Sequence, residues 1–453
     1  MSNNNIQNFH NFVHGETLES IEKRKSDENL KKLNNDDENM PYTYLSDEPI
    51  GNIKSNLFFP EHYVYALTEF LNICETPITI SLQGEWGSGK TSFMNMVKEY
   101  SEKNNYPLYF YTLNAWQYSQ FNFGEQLPLV MLRKLANDID GNNKVHVYEK
   151  MKRLCASAIN VIARRKIADY DSLNKVFDKD DIDELATLKD GFQYAINDKL
   201  IKENKRRFII FIDDLDRLQP EKALEVLESM KIFLDCQNSV FILAIDYNVI
   251  IKGASAKYGE DFAKSFFDKL VQLPFIMPTK NYHIDKYLES CLSIINDKNF
   301  DLKKKFDDCT RVEMYIKILE NTVGTNPRII KKLINSLFIL YKMDLIKYKN
   351  AYGEDAVYDL EILDILFFKI CLSAVNEDLW YILYTDASKF SGKDNEYVDQ
   401  YVESLKSSNI FNDKIDENEG NILINIYCDI LKNLSQIDKV KKSNLYTFFS
   451  YEK

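Results

Sequence analysis

The stretch that decides the fold runs from Ser81 to Asn95 and reads SLQGEWGSGKTSFMN. The chain has only 14 glycines in 453 residues, yet three of them stand here, immediately before a Lys-Thr pair. Glycine weakens ordinary strands and helices, so such a cluster indicates a backbone that bends sharply or approaches a ligand closely. We therefore expect a binding loop at this point of the chain.

The residues from Gly84 to Thr91 match the pattern G-x-x-x-x-G-K-[ST], the Walker A motif, without a mismatch. Its glycines let backbone N–H groups surround a phosphate, and the following helix adds its N-terminal dipole. Lys90 is expected to reach the β- and γ-phosphates and the Thr91 hydroxyl to bind Mg²⁺. We predict nucleotide contacts from the whole loop, which comprises Gly84, Glu85, Trp86, Gly87, Ser88, Gly89, Lys90, Thr91 and Ser92.

An acidic partner for this loop follows the apolar run in RRFIIFIDDLDRL, as in a Walker B strand. Asp213 is expected to hold Mg²⁺ through water, and Asp214 to orient or deprotonate the attacking water as the catalytic base. Two adjacent carboxylates repel each other unless a cation lies between them. Because the strand Leu108 to Leu113 separates the two motifs in the chain, we expect an extra strand between the loop strand and the Asp213 strand.

For two further residues the sequence leaves two alternative roles each. Arg217 either pairs with Asp216 or reaches a phosphate of a neighbouring protomer as an arginine finger. Asp246, at the end of VFILAID, either contacts the γ-phosphate or the lytic water as a sensor, or caps a helix. The chain contains no N-K-x-D tetrapeptide, the guanine-reading element of GTPases, so ATP is the expected nucleotide.

Short apolar runs alternate with helical patterns along this part of the chain, which indicates the α/β class with a parallel sheet. A fifth run contains Pro274 and is expected at an edge of the sheet. After Lys280 only helical patterns follow. The predicted strands are ITISL (78–82), LYFYTL (108–113), FIIFI (208–212), VFILAI (240–245) and VQLPFI (271–276).

Composition and charge argue against several classes of function. The net charge of −12 argues against a chain that coats nucleic acid or anionic membrane with its whole surface. The seven cysteines show no zinc-ligand spacing and are expected to be buried thiols in a reducing compartment. No apolar run approaches the ~20 residues that span a bilayer. We expect a cytoplasmic protein without membrane segments.

With these motifs located, the sequence resembles the KAP family of P-loop NTPases. SDEPI (46–50) also resembles the segment that leads into the domain in that family. The double-acidic DDLDR and the Asn-Ala-Trp stretch are much more specific than a lone phosphate loop. The similarity rests on GEWGSGKTS (84–92), LNAWQYS (113–119), FIDDLDRL (211–218), LAIDYNVI (243–250) and TNPRIIKKLIN (325–335).

The resemblance implies further features. Many family members carry transmembrane helices between the Walker A and Walker B regions, whereas this chain has a helical insertion without them, as in the soluble bacterial branch associated with phage defence. The NPR element resembles a second sensor, in which Arg328 contacts the nucleotide. A helix start with Asn326 as cap and Pro327 in the first turn is the alternative, and both can hold. Trp116 is expected in the core, near the site or near a partner.

The predicted fold is therefore an α/β P-loop NTPase with a mostly parallel sheet of the additional-strand type, a helical insertion and an all-helical C-terminal region. We expect a flexible arm over residues 1–46, the core over 47–280 with its insertion at about 120–205, a helical lid over 281–350, and further helices over 351–453.

Three functions follow from this fold. The first is an Mg²⁺-dependent ATPase that acts as a switch or power subunit of a defence assembly, with partner proteins and with homo-oligomer formation as an open question. The second is a sensor or remodeller acting directly on DNA or RNA through basic runs such as MKRLCASAINVIARRK, KENKRR and NPRIIKKL. The third, a scaffold without hydrolysis, is disfavoured by the intact Lys90, Thr91, Asp213 and Asp214.

Overall fold

A computed structural model describes residues 45–119, 179–230, 234–292, 309–353, 360–387 and 417–435, with residues 131, 134, 135, 138, 400 and 403. The predicted arm lies outside the described residues except for Leu45 and Ser46. The same holds for most of the predicted insertion and for part of the C-terminal region. The domain boundaries proposed above stay predictions.

A five-stranded sheet forms the centre of the molecule, in the order β2-β3-β4-β1-β5. Every neighbouring pair is parallel. This arrangement confirms the α/β class, and β5 lies at an edge as its proline requires. The strands are β1 (Ile78–Gln83), β2 (Leu108–Asn114), β3 (Arg207–Asp213), β4 (Ser239–Ile245) and β5 (Leu273–Ile276).

One detail of the predicted sheet was wrong. An additional strand does separate β1 from β3, but it is β4, whereas the strand over Leu108–Leu113 became β2 at the outer side of β3. Burial explains the difference, because all seven residues of β4 are buried while most of β2 is only partly so. A strand that is apolar on both faces favours the middle of a covered sheet.

Helices cover both faces of the sheet and make up most of the rest of the described chain. None of those described has the length and apolar content that a bilayer span demands. The helices are α1 (Glu61–Ile73), α2 (Lys90–Lys103), α3 (Ala115–Ser119), α4 (Lys179–Lys202), α5 (Pro220–Met230), α6 (Tyr247–Tyr258), α7 (Glu260–Leu270), α8 (Ile284–Leu292), α9 (Cys309–Glu320), α10 (Pro327–Tyr352), α11 (Leu360–Ser373), α12 (Glu377–Ala387) and α13 (Glu417–Ser435).

The alternation of side chains along the strands divides the core into two layers. Ile209, Phe211 and Ile242 face α1 and α2, and this layer continues without interruption into helices α8 to α13. Phe208 and Ile210 face the opposite side, against α4, α5 and α7. The C-terminal ends of β1 and β3 therefore sit on a rigid base, and that edge of the sheet carries the site.

A close helix contact supports the second layer. A Cβ atom added at Gly253 on α6 would lie 2.0 Å from Pro220 Cβ and 2.9 Å from two Pro220 backbone atoms. We expect Gly253→Ala to lower the free energy of unfolding by about 1–3 kcal/mol, because overpacking outweighs the gain in helix propensity. Urea denaturation followed by circular dichroism measures the change.

Gly51→Ala is the matched control, because a Cβ there meets nothing within 4 Å. Its effect should stay within about 0.5 kcal/mol. Equal stabilities of the two variants would contradict the contact between α5 and α6.

Candidate nucleotide site

The phosphate-binding loop joins β1 to α2 through backbone conformations that suit glycine. Gly87 and Gly89 have φ values of +87° and +95°, which L side chains rarely adopt. A Cβ at Gly89 would also lie 2.5 Å from the ring of Phe59. The Tyr282 hydroxyl donates to the Ser88 carbonyl at 3.0 Å and fixes the loop from below. Gly87, Ser88 and Gly89 belong to the predicted Walker A motif. Phe59 and Tyr282 come from segments that the sequence analysis did not connect with it.

Lys90 crosses the inside of this loop. Its Nζ donates to the carbonyl oxygens of Gly84 and Glu85 at 2.7 and 3.2 Å, and to Asp216 Oδ2 at 2.9 Å. The side chains of Lys90 and Asp216 are only 7% and 5% exposed. Asp216 was considered only as a partner of Arg217, so its pairing with Lys90 was missed. The sequence signal that could have predicted this pairing is the position of Asp216, two residues after Asp214 at the end of the same strand.

Thr91 and Asp213 form the second polar contact of the site. The Thr91 hydroxyl donates to Asp213 Oδ2 at 2.7 Å across the gap between α2 and β3. Burial raises the pKa of the Asp213 carboxyl above its ordinary value, and the nearby Asp214 carboxylate adds to the rise, while the Thr91 hydrogen bond opposes it. A buried carboxylate beside like charges gains stability from a cation.

The next residue after Asp213, Asp214, has a left-handed backbone conformation, with φ +59° and ψ +27°. Asn114 Nδ2, at the end of β2, donates to Asp214 Oδ2 at 2.7 Å. Arg217 Nε lies 2.6 Å from Asp214 Oδ1, so Arg217 pairs with Asp214 and not with Asp216 as one alternative proposed. The finger role of Arg217 stays a prediction. Asn114 was not among the predicted site residues, although it belongs to the LNAWQYS stretch (113–119).

The first turn of α10 contacts the phosphate-binding loop. Asn326 caps the helix by accepting from Arg328 N, and its Nδ2 donates to the Trp86 carbonyl at 3.0 Å. The Arg328 guanidinium lies over the Trp86 ring at 4.6 Å, and Nη1 is buried without a hydrogen-bond partner. The predicted cap is therefore present, and Arg328 also faces the site. Its contact with a nucleotide stays a prediction.

These groups surround one hollow, which opens to solvent and measures about 720 Å³ with the open solvent at its mouth included. Its lining combines charged side chains with the apolar residues Pro49, Phe58 and Phe59. Ten of the predicted site residues line it, namely Trp86, Gly87, Gly89, Lys90, Thr91, Ser92, Asp213, Asp214, Arg217 and Arg328.

Four predicted site residues face a neighbouring cavity of about 1050 Å³ instead, namely Gly84, Glu85, Ser88 and Asp246. The Asp246 carboxylate accepts from Asn248 N at 3.0 Å and so caps α6, as the second alternative proposed. Its sensor role stays a prediction. Trp116 is not in the core, because it is 37% exposed, but it lies near the site, with its ring 5.0 Å from the Arg217 guanidinium.

The chemistry of the hollow fits a magnesium–nucleotide complex. In the described part of the chain, no group of three His, Cys, Asp or Glu side chains is arranged to hold a metal. Mg²⁺ in phosphate sites uses one or two protein ligands together with water and phosphate oxygens, and Thr91 and Asp213 supply such a pair. The unpartnered Arg328 Nη1 is a buried donor that a phosphate oxygen would satisfy.

The basic runs considered for nucleic acid are largely engaged where the structure describes them. Arg207 is buried and donates to the Leu71 carbonyl at 2.9 Å, and Lys205 donates to the Tyr106 carbonyl at 3.1 Å. Lys331 donates to the Ser46 carbonyl at 2.7 Å. The run over residues 151–166 lies outside the described residues. No free basic face for a nucleic acid emerges from KENKRR.

Comparison with known proteins places the site within a family domain. The model of the KAP family P-loop domain matches residues 61–343, more than half of the chain. The phage T7 exclusion protein of Escherichia coli (strain K12) is 23% identical over 297 residues, which are 59% of this chain and 39% of that protein. The chain thus spans well under half the length of that relative.

Proposed function

The chain belongs to the KAP family of P-loop NTPases, and from this premise we propose that it binds ATP with Mg²⁺ and hydrolyses the terminal phosphate. One observation carries the proposal. Lys90, the Thr91–Asp213 pair and Arg328 line a single hollow. In this proposal Lys90 binds phosphate oxygens, the Thr91–Asp213 pair holds a divalent cation, and Arg328 contacts the terminal phosphate.

Binding depends on exchanging internal partners for phosphate oxygens. Lys90 would turn its ammonium from Asp216 toward the β- and γ-phosphates while keeping the loop carbonyls. Thr91 would hold Mg²⁺ through its hydroxyl and Asp213 would hold it through water. The bound Mg²⁺ supplies charge neutralisation to the β- and γ-phosphate oxygens. The backbone N–H groups of the loop would bind the remaining oxygens.

Hydrolysis needs a group that orients and deprotonates water near the terminal phosphate. Asp214 is the proposed base, because it stands one residue beyond the proposed magnesium ligand and lines the same hollow. Asn114 donates a hydrogen bond to one of its oxygens, and Arg217 forms an ion pair with the other. Proton transfer to such a positioned group contributes about 10²–10⁴ to a rate.

We further propose that this cycle drives a phage-exclusion function together with partner proteins. The support is the similarity to a protein named for phage T7 exclusion. In the described residues, the site just discussed offers the one complete set of catalytic groups that we can assemble, so a separate protein would act as effector. The uninterrupted core from the sheet into α8–α13 is a route by which the lid would transmit the nucleotide state.

Phosphate release from Mg-ATP by the purified chain tests the proposed reaction. We expect turnover with Mg²⁺ and none with EDTA. Added single-stranded DNA, double-stranded DNA and RNA should leave the rate unchanged. A rate that rises with nucleic acid and falls steeply with salt would instead favour the remodeller. Absence of both binding and turnover would refute the proposal.

A further inference from the structure

A short segment crosses the hollow outside the matched family domain. Residues Leu45 to Ile50, here called the strap, lie against the lid helix α10 at one end. Leu45 N and O bond both ends of the Asn335 side-chain amide, at 2.8 and 3.0 Å. Lys331 Nζ donates to the Ser46 carbonyl. These bonds attach the strap to the helix that carries Arg328.

The other end of the strap is attached to the helix of the phosphate-binding loop. Ile50 N donates to Ser92 Oγ at 3.1 Å, and Asn95 Nδ2 donates to the Ile50 carbonyl at 3.3 Å. Between the two attachments, the acidic residues Asp47 and Glu48 line the hollow. The strap therefore places negative charge where the proposed ligand is itself an anion.

Asp47 binds the arginine of the lid. Its Oδ1 and Oδ2 lie 2.9 and 2.7 Å from Arg328 Nε. The Asp47 side chain is 57% exposed, so water screens the pair and a stronger anion can displace it. Arg328 is 20% exposed and keeps Nη1 unpartnered on its buried side. One carboxylate thus occupies only part of a guanidinium that can bind two oxygens.

We propose that Asp47 is a specificity-determining residue, which competes with the terminal phosphate of the nucleotide for Arg328. This inference rests on the proposed function. A triphosphate offers Arg328 several charged oxygens and displaces Asp47, whereas a diphosphate lacks the terminal group and leaves the pair intact. The competition weakens triphosphate binding. It also means that the strap releases Arg328 only when the terminal phosphate is present.

Titration calorimetry with a non-hydrolysable ATP analogue and with ADP, each with Mg²⁺, tests the inference. Asp47→Asn should tighten binding of the analogue by about three- to fivefold, the strength of a partly exposed ion pair. Binding of ADP should stay unchanged within error. The same substitution in an Arg328→Gln background should have no effect on either ligand.

Glu48→Gln is the matched control, because it removes the same charge from the strap one residue away from the Asp47–Arg328 pair. If Glu48→Gln and Asp47→Asn tightened both nucleotides by one common factor, general repulsion would explain the data and the inference would fall. It would also fall if Asp47→Asn left the analogue unaffected. A wild-type chain that bound neither nucleotide would overturn the proposed function and this inference with it.

Discussion

Lys90→Ala should lower the affinity for Mg-ATP by about 100-fold or more, because truncating a buried charged partner costs about 2–5 kcal/mol. The ammonium is the cation that lies across the loop, bonded to two of its carbonyl groups. Without it, the negative charge of the β- and γ-phosphates meets the neighbouring carboxylates directly. Titration calorimetry with Mg-ATP measures the loss.

The same substitution leaves Asp216 buried without its partner, which by itself destabilises a fold by about 3–5 kcal/mol. Binding and folding must therefore be separated. The double variant Lys90→Met/Asp216→Asn removes both charges and keeps the volumes, so its thermal midpoint should recover toward wild type while Mg-ATP binding stays absent. Wild-type affinity in this folded double variant would contradict phosphate binding by Lys90.

Local patterns predicted the elements of the site but not all of their partners. The apolar runs located all five strands of the described sheet, because a strand buried on both faces has a near-continuous apolar sequence. The lateral order of the strands depends on which strand buries more surface, so β4, and not β2 as expected, lies between β1 and β3. The two predicted motifs placed Lys90 and Asp213 on one hollow because the carboxyl ends of all strands in a parallel sheet lie at the same edge, even though β4 separates β1 from β3.

The pairing of charges was the less predictable part. Asp216 and Arg217 are adjacent, yet they bind Lys90 and Asp214, respectively. The short helical turn over Leu215–Arg217 points their side chains in different directions. The contact of Asp47 with Arg328 joins residues 281 positions apart. Such contacts depend on the packing of the lid against the strap, and no local spacing encodes it.

Asp214→Asn should reduce the turnover of Mg-ATP by about 10²–10⁴ while leaving its binding close to wild type. Asparagine is the appropriate replacement, because Asp214 has a left-handed backbone that asparagine tolerates and alanine does not. The amide oxygen can still accept from Asn114, so the side chain keeps its direction. What is lost is the negative charge that would take the proton from water. A single-turnover measurement with calorimetry on the same sample separates chemistry from binding.

Arg217→Gln provides the matched comparison, since it removes the ion pair with Asp214 and keeps the carboxylate. If Arg217 only orients Asp214, this variant should lose much less turnover than Asp214→Asn. If Arg217 instead serves a neighbouring protomer, both variants should be inactive alone, and mixing them should restore part of the activity through mixed assemblies. Normal turnover in Asp214→Asn would show that another group acts as the base. Asp216 would then be the next residue to replace, because its carboxylate lines the hollow and contacts Lys90.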